Sequence, residues 1–165
     1  TLHPAFPEIA AAVAELRDAV APDVKLALFS NATTLHREDV RAALAHFEMP
    51  MLKLDAGDPE TQVAINGPVP EVTWPTFLEG LKAVPSAIIQ SVLIEGLVSN
   101  AHGAGLAAWA AALAEIRPAH VYIYSTEYPV PDAGVAQVLP YQLERIAQQV
   151  SAQTGVPVHA RWIWR

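Results

Sequence analysis

The chain has 165 residues, 52% of them hydrophobic, no cysteine and a formal net charge of −7. That length suits one domain with a sizeable core. The charge argues against nonspecific binding to nucleic acid or an anionic membrane. The missing thiols exclude disulfides, thiolate nucleophiles and Cys-held clusters within these residues.

No apolar run reaches the roughly 20 residues that a membrane-spanning helix needs. The sequence opens Thr1-Leu2-His3-Pro4, with neither an initiator Met nor a basic and apolar leader. The expectation is a portion of a longer, cytoplasmic protein.

Helical and β-rich segments alternate along the chain. Ile9, Val13, Leu16 and Val20 fall on one helical stripe, with Pro7 suited to the first turn. Residues 24–30 (VKLALFS) read as the first strand. Val40, Leu44 and Phe47 repeat the stripe behind Glu38 and Asp39, acids suited to a helix N-terminus. Residues 51–55 (MLKLD) form the second strand. The longest irregular connection follows, punctuated by Pro68, Pro70 and Pro75.

Thr73 is a candidate N-cap for a helix carrying Phe77, Leu81 and Val84. The third strand spans 87–94 (AIIQSVLI). Leu106, Trp109, Leu113 and Ile116 make a fourth helical stripe, stopped by Pro118. The fourth strand spans 120–125 (HVYIYS). Leu143, Ile146 and Val150 make a fifth stripe, with Gly155 as its C′ residue, before a weaker strand at 158–163.

Near-continuous apolar strands alternating with helices point to right-handed βαβ crossovers and a parallel sheet. Alternation alone leaves a barrel and an open doubly wound sheet both possible.

In either architecture, ligands gather at the carboxyl ends of the strands. Four such ends are polar: Ser30-Asn31, Lys53 to Asp58, Gln90-Ser91 followed by Glu95, and Tyr124 to Glu127. Lys53 and Asp55 are two apart and share a strand face. They suit either ligand contact or an ion pair packed between strands. Asn31 reads equally as a turn or helix-cap residue. The six histidines show no metal-binding spacing, and Asp55-Ala56-Gly57-Asp58 reads as a turn. No GxGxxG, Walker loop or GxSxG elbow is present.

An ordered set of segments resembles the radical SAM superfamily, in its wyosine-synthase-like branch. Thr1-Leu2-His3-Pro4 is similar to the end of a G-E-P-T-L-x-P segment, and Ser30-Asn31-Ala32-Thr33 to an S-N-G-T strand end. Lys53-Leu54-Asp55-Ala56-Gly57-Asp58-Pro59-Glu60-Thr61 resembles the branch's K-L-D-A-x-D-E-E-T run, and Ile65-Asn66-Gly67-Pro68 the I-N-x-P after it. Ser91 to Gly96 and Val121 to Pro129 resemble its fifth and sixth strands, except that Glu127-Tyr128-Pro129 replaces an R-P ending.

The resemblance implies a partial (β/α) barrel of parallel strands whose N-terminal strands are missing. It implies an enzyme in which a [4Fe–4S] cluster cleaves S-adenosylmethionine to a 5′-deoxyadenosyl radical, acting on an unknown substrate. The cluster's CxxxCxxC ligands are absent here, so the chain alone is expected to be inactive without the missing N-terminal part of the barrel. Carried over by position, Lys53 and Asp55 stand at the ribose-contact strand. Asn31 faces the methionine moiety or the substrate, Ser91 approaches the cofactor, and Tyr124 meets the adenine. Two other readings need no iron. One is a cofactor-less α/β-barrel binding module; the other is a Schiff-base lyase using Lys53, with Asp55 as proton shuttle.

Overall fold

The computed structural model describes residues 1–67, 72–84, 87–127, 130 and 132–162. Pro68, Pro70, Tyr128, Pro129 and the last residue of the 158–163 strand, Ile163, therefore lie outside the described residues.

The chain opens with helix α1 (Phe6–Val20), whose N-terminal turn holds Pro7, where the missing N–H costs nothing. Strand β1 (Ala27–Ser30) follows, then α2 (Glu38–Ala43), a 3-10 turn (Leu44–His46) and β2 (Met49–Lys53). Helices α3 (Pro59–Asn66) and α4 (Trp74–Lys82) lead to β3 (Ile88–Val92) and a short β4 (Ile94–Gly96). Then come α5 (Gly103–Ile116), β5 (His120–Tyr124), β6 (Val135–Gln137), α6 (Pro140–Thr154) and β7 (Val158–Ala160).

Five strands form one sheet in the order β1-β2-β3-β5-β7, every pair parallel. Strand order thus follows chain order without reversal. A doubly wound sheet would reverse at a switch point, so the topology is that of a partial barrel. The helices pack in the same succession: α1 on α2, α4 on α5, α5 on α6.

The pleat divides the sheet's side chains into two sets. Leu52, Ile89, Val121 and Ile123 face the helices and are fully buried. Met51, Gln90, Val92, Tyr122 and Tyr124 point the other way and are only half-buried. Trp109, Leu113, Leu143 and Val150 close the core from the helix side.

Three features depart from the sequence expectations. In α1, the core-facing residues are Phe6, Ala10 and Ala14, while Ile9, Val13, Leu16 and Val20 are 40–74% exposed. Small alanines let the helix lie close to its neighbours. The aliphatic stripe sits about a quarter turn away, at roughly 100° per residue.

The run 87–94 is two strands, because the Asn100 side chain takes over at the break. Its Nδ2 donates to Val92 O at 2.7 Å, and its Oδ1 accepts from Ile94 N at 2.7 Å. Ile94 then leaves the main sheet and pairs antiparallel with Gln137.

The turn read at residues 55–58 runs straight into α3. Asp58 caps that helix, accepting from Thr61 N and Thr61 Oγ1, each at 2.8 Å. None of α3 is buried, so no apolar stripe announces it.

Candidate functional site

On the side of the sheet away from the helices lies an open cleft of about 790 Å³. Its walls include Phe29, Met51, Gln90, Val92, Tyr122, Tyr124 and Arg161. One residue in two along β1, β2, β3 and β5 supplies this surface, so the sheet geometry alone converges four strands on it, with Arg161 joining from just past β7. The volume falls in the range of small-molecule sites, and the lining is mainly apolar with a few polar groups.

Lys53 follows Met51 on the same face of β2, at its carboxyl end, and its side chain is 36% exposed. Its Nζ lies 2.9 Å from Asp55 Oδ2. Asp55 is fully buried. Its Oδ1 accepts from Val92 N at 2.8 Å. Its Oδ2 receives no directed hydrogen bond, so the nearby ammonium charge neutralises it instead. The pair thus ties the ends of β2 and β3 together while leaving the lysine at the cleft's edge.

Tyr124, at the end of β5, lines the cleft and is half-buried. Burial pushes its phenol above the ordinary value; the Lys53 charge opposes this and the Asp55 charge adds to it. At neutral pH the phenol keeps its proton and can donate.

The remaining two candidates lie elsewhere. The Ser91 hydroxyl points to the helix side. It is fully buried, donates to Leu54 O at 2.5 Å and accepts from Trp109 Nε1 at 3.1 Å. That places its side chain across the sheet from the cleft, because the parity of β3 sends Gln90 and Val92 there instead. Asn31 is exposed, and its Oδ1 accepts from Thr33 N and Thr33 Oγ1 at 3.3 and 3.0 Å. This is the turn-forming role that Asn favours. The five residues therefore form one cluster, Lys53, Asp55 and Tyr124, with Ser91 and Asn31 apart from it.

Sequence reasoning passed over Asn100. It is fully buried, and besides its bonds to Val92 and Ile94 it donates to Asp55 O at 2.6 Å. One side chain thereby fixes three backbone groups at the rim. Ser125 acts in the same way: its hydroxyl donates to Leu93 O at 2.7 Å and accepts from Val138 N at 2.8 Å. A lone polar residue in a loop gives no spacing signal for such a role. Arg161 was also passed over as a cleft residue, whereas Gln90 was read as part of a polar strand end.

Gly57 has a steric reason to be glycine. A Cβ there would meet the backbone of Ala108 at 2.0 Å, so the rim loop lies directly on α5.

No protein-family model and no curated protein matches this sequence. Solved structures do match. A domain of pyruvate-formate lyase-activating enzyme from Bacteroides vulgatus superposes with TM-score 0.67 at 14% identity, over 97% of this chain and 96% of that one. A radical SAM methyltransferase from Sphaerobacter thermophilus gives 0.61 at 17% identity, over 81% of this chain and 39% of the other. Streptococcus suis SuiB bound to S-adenosylmethionine gives 0.66 at 13% identity, over 94% and 36%.

The fold is an α/β partial barrel, shared with these structures. The chain spans well under half the length of the methyltransferase and of SuiB.

The residues present fit one of the two groups that such a fold implies. An iron–sulfur cluster is held by thiolates. The chain has none, and among the described residues no group of three or more His, Cys, Asp or Glu could hold a metal ion. A nucleoside-sized ligand does fit: an apolar cleft edged by an ammonium, a phenol and the Gln90 amide offers both stacking surface and hydrogen bonds. No helix among the described residues is long and apolar enough to cross a membrane.

Proposed function

We propose that residues 1–165 are the trailing part of a radical SAM enzyme of the wyosine-synthase-like branch. They would bind S-adenosylmethionine at the carboxyl ends of β2, β3 and β5, and any cluster would be held by residues outside this chain. The observation that carries this reading is that Tyr124 lines the cleft while the Lys53–Asp55 pair stands beside it at the carboxyl ends of β2 and β3. When bound with a cluster, the cofactor would supply the radical chemistry.

This chain's residues would position and shield. Both oxygens of Asp55 are already engaged, so the carboxylate holds Lys53 rather than reaching a ribose itself. Lys53 then offers its remaining ammonium protons to the ligand's hydroxyls or carboxylate. Tyr124 donates from the β5 side and supplies a ring face. Asn100 and Ser125 fix the rim backbone that would meet the adenine.

The lyase reading fares worse. One structural neighbour is described with a lysine–pyruvate adduct bound, which keeps amine chemistry in view. Attack on a carbonyl needs a neutral amine. Removing the Lys53 charge would leave the buried Asp55 carboxylate without its counter-charge. The binding-module reading uses the same cleft and differs only in needing no cluster.

The test is titration of the chain with S-adenosylhomocysteine, followed by NMR. Shifts confined to Lys53, Gln90, Val92 and Tyr124, lost in Lys53→Ala, are expected. Saturating ligand without such shifts would end the cofactor reading.

A further inference from the structure

The cleft wall made by β5 and β7 carries chemistry that the cofactor reading does not use. Tyr122 sits opposite His159 in the β5–β7 register. The Arg161 guanidinium carbon lies 4.7 Å from the centre of the Tyr122 ring, a cation–π contact. His159 is 5.7 Å from Tyr122 and 5.8 Å from His120, centre to centre. Four side chains thus form a continuous row of rings and cation, of which Tyr122 and Arg161 line the cleft.

Two observations make Arg161 stand out. The chain has 17 acidic residues against 10 Lys and Arg. Among the described residues Arg17, Arg37, Lys53 and Lys82 each pair with a carboxylate while Lys25, Arg41, Arg117, Arg145 and Arg161 do not, and of these five Arg161 is the one that lines the cleft. Arg161 lines the cleft, yet its one side-chain hydrogen bond goes to Ala160 O at 3.2 Å, and no carboxylate pairs with it among the described residues. Its orientation is nevertheless set, because Tyr122 lies under the guanidinium. A guanidinium carries five donors in a planar fork that matches carboxylate and phosphate, so most of that fork is left for a partner. The opposite wall, with Phe29, Met49 and Met51, is apolar.

We propose that this wall is an oxyanion subsite. Arg161, held flat by Tyr122 and flanked by His159, takes the carboxylate or phosphate of a substrate whose apolar or aromatic body lies against Phe29 and Met51. The subsite rests on the cofactor reading only for calling its ligand the substrate. Arg161 follows the carboxyl end of β7, level with Tyr124, but its guanidinium lies over Tyr122, which with His159 is in mid-sheet, one step below the strand ends that carry Lys53 and Tyr124. An anion here and a nucleoside at the rim would occupy one cleft at two levels.

The experiment uses benzoate and phenyl phosphate as probes, with benzamide as the neutral match, read by Trp162 fluorescence and by the Arg161 Nε–H resonance. Either anion should bind at least tenfold more tightly than benzamide, and Arg161→Ala should weaken that anion at least tenfold while leaving benzamide unchanged. Comparing the two anions tells carboxylate from phosphate recognition. Arg145→Ala, the same charge change on the far helix face, should leave all three unchanged. Equal affinity for benzoate, phenyl phosphate and benzamide overturns the subsite, as does an equal loss in Arg145→Ala. Arg161→Lys keeps the charge without the fork and should recover less than half of the lost binding energy. S-adenosylhomocysteine titrated in parallel separates the two readings: its failure with anion binding intact removes the cofactor assignment alone.

Discussion

The two faces of the five-stranded sheet obey different rules, though the same strands supply both. Ser91 and Trp109 on the helix side, and Asn100 and Ser125 at the rim, are buried, and each polar group meets a named partner. Toward the cleft, Tyr122, Tyr124 and Gln90 are half-buried and Arg161 has a largely open fork. Parallel sheets ordinarily have both faces covered. Here one face is finished by packing, and the other is left for something that binds. Stability should therefore reside in one residue parity and recognition in the other.

Substitutions can break that division. The largest effect is expected from Asn100→Ala. It strands Asp55 O, Val92 O and Ile94 N in a buried site, at about 1–3 kcal/mol per unsatisfied group. Denaturant unfolding should show a loss of several kcal/mol; less than about 1 would mean water replaces the side chain freely.

Gly57→Ala forces α5 away from the rim loop, and about 3 kcal/mol is expected from backbone overpacking of this kind. Thermal melting with an unchanged midpoint would contradict the contact. Trp109→Phe keeps most of the packing but removes the indole N–H bonded to Leu54 O at 3.0 Å. About 1–2 kcal/mol should go.

On the other face, Gln90→Ala should change stability by no more than about 0.5 kcal/mol while weakening nucleoside binding. A large stability loss there would dissolve the distinction between faces.

The smallest effect concerns neither face. Glu48 is held down to about 2, first by Leu26 N–H and then by the Arg17 guanidinium. Its folded value lies below the ordinary 4.5, so its contribution is complete above that pH and fades as pH falls toward 2. Glu48→Gln should flatten the melting midpoint against pH across that window, and an unchanged profile would show the carboxylate is not coupled to folding.

Much of the fold was legible because burial on the helix side leaves a strong pattern. Leu106, Trp109, Leu113 and Ile116 gave α5, and Leu143, Ile146 and Val150 gave α6, with Gly155 ending it at φ 72. Where burial is weak the pattern fails. α3 has no buried residue, and β4 and β6 have three residues each. In α1 the aliphatic stripe looked like the core face, but alanines hold that place, since close approach favours small side chains.

The pairing of Lys53 with Asp55 was legible, because strand parity and opposite charge coincide there. The direction of the Ser91 side chain was not legible, because parity within 87–94 cannot be assigned without knowing where the strand breaks. Asn100 was invisible for a deeper reason: its role depends on three backbone groups that are not neighbours in sequence.

Because every main-sheet strand pairs with the strand before it in that sheet, the architecture is additive. A β/α unit appended beside β1 would form one new ladder and one new helix contact, and would leave every existing register in place, as happens in solenoids. The aliphatic flank of α1, with Leu16 64% and Val20 74% exposed, stands at that end. It has the character of a growth step on a crystal face, a place where a further layer settles without disturbing those already laid.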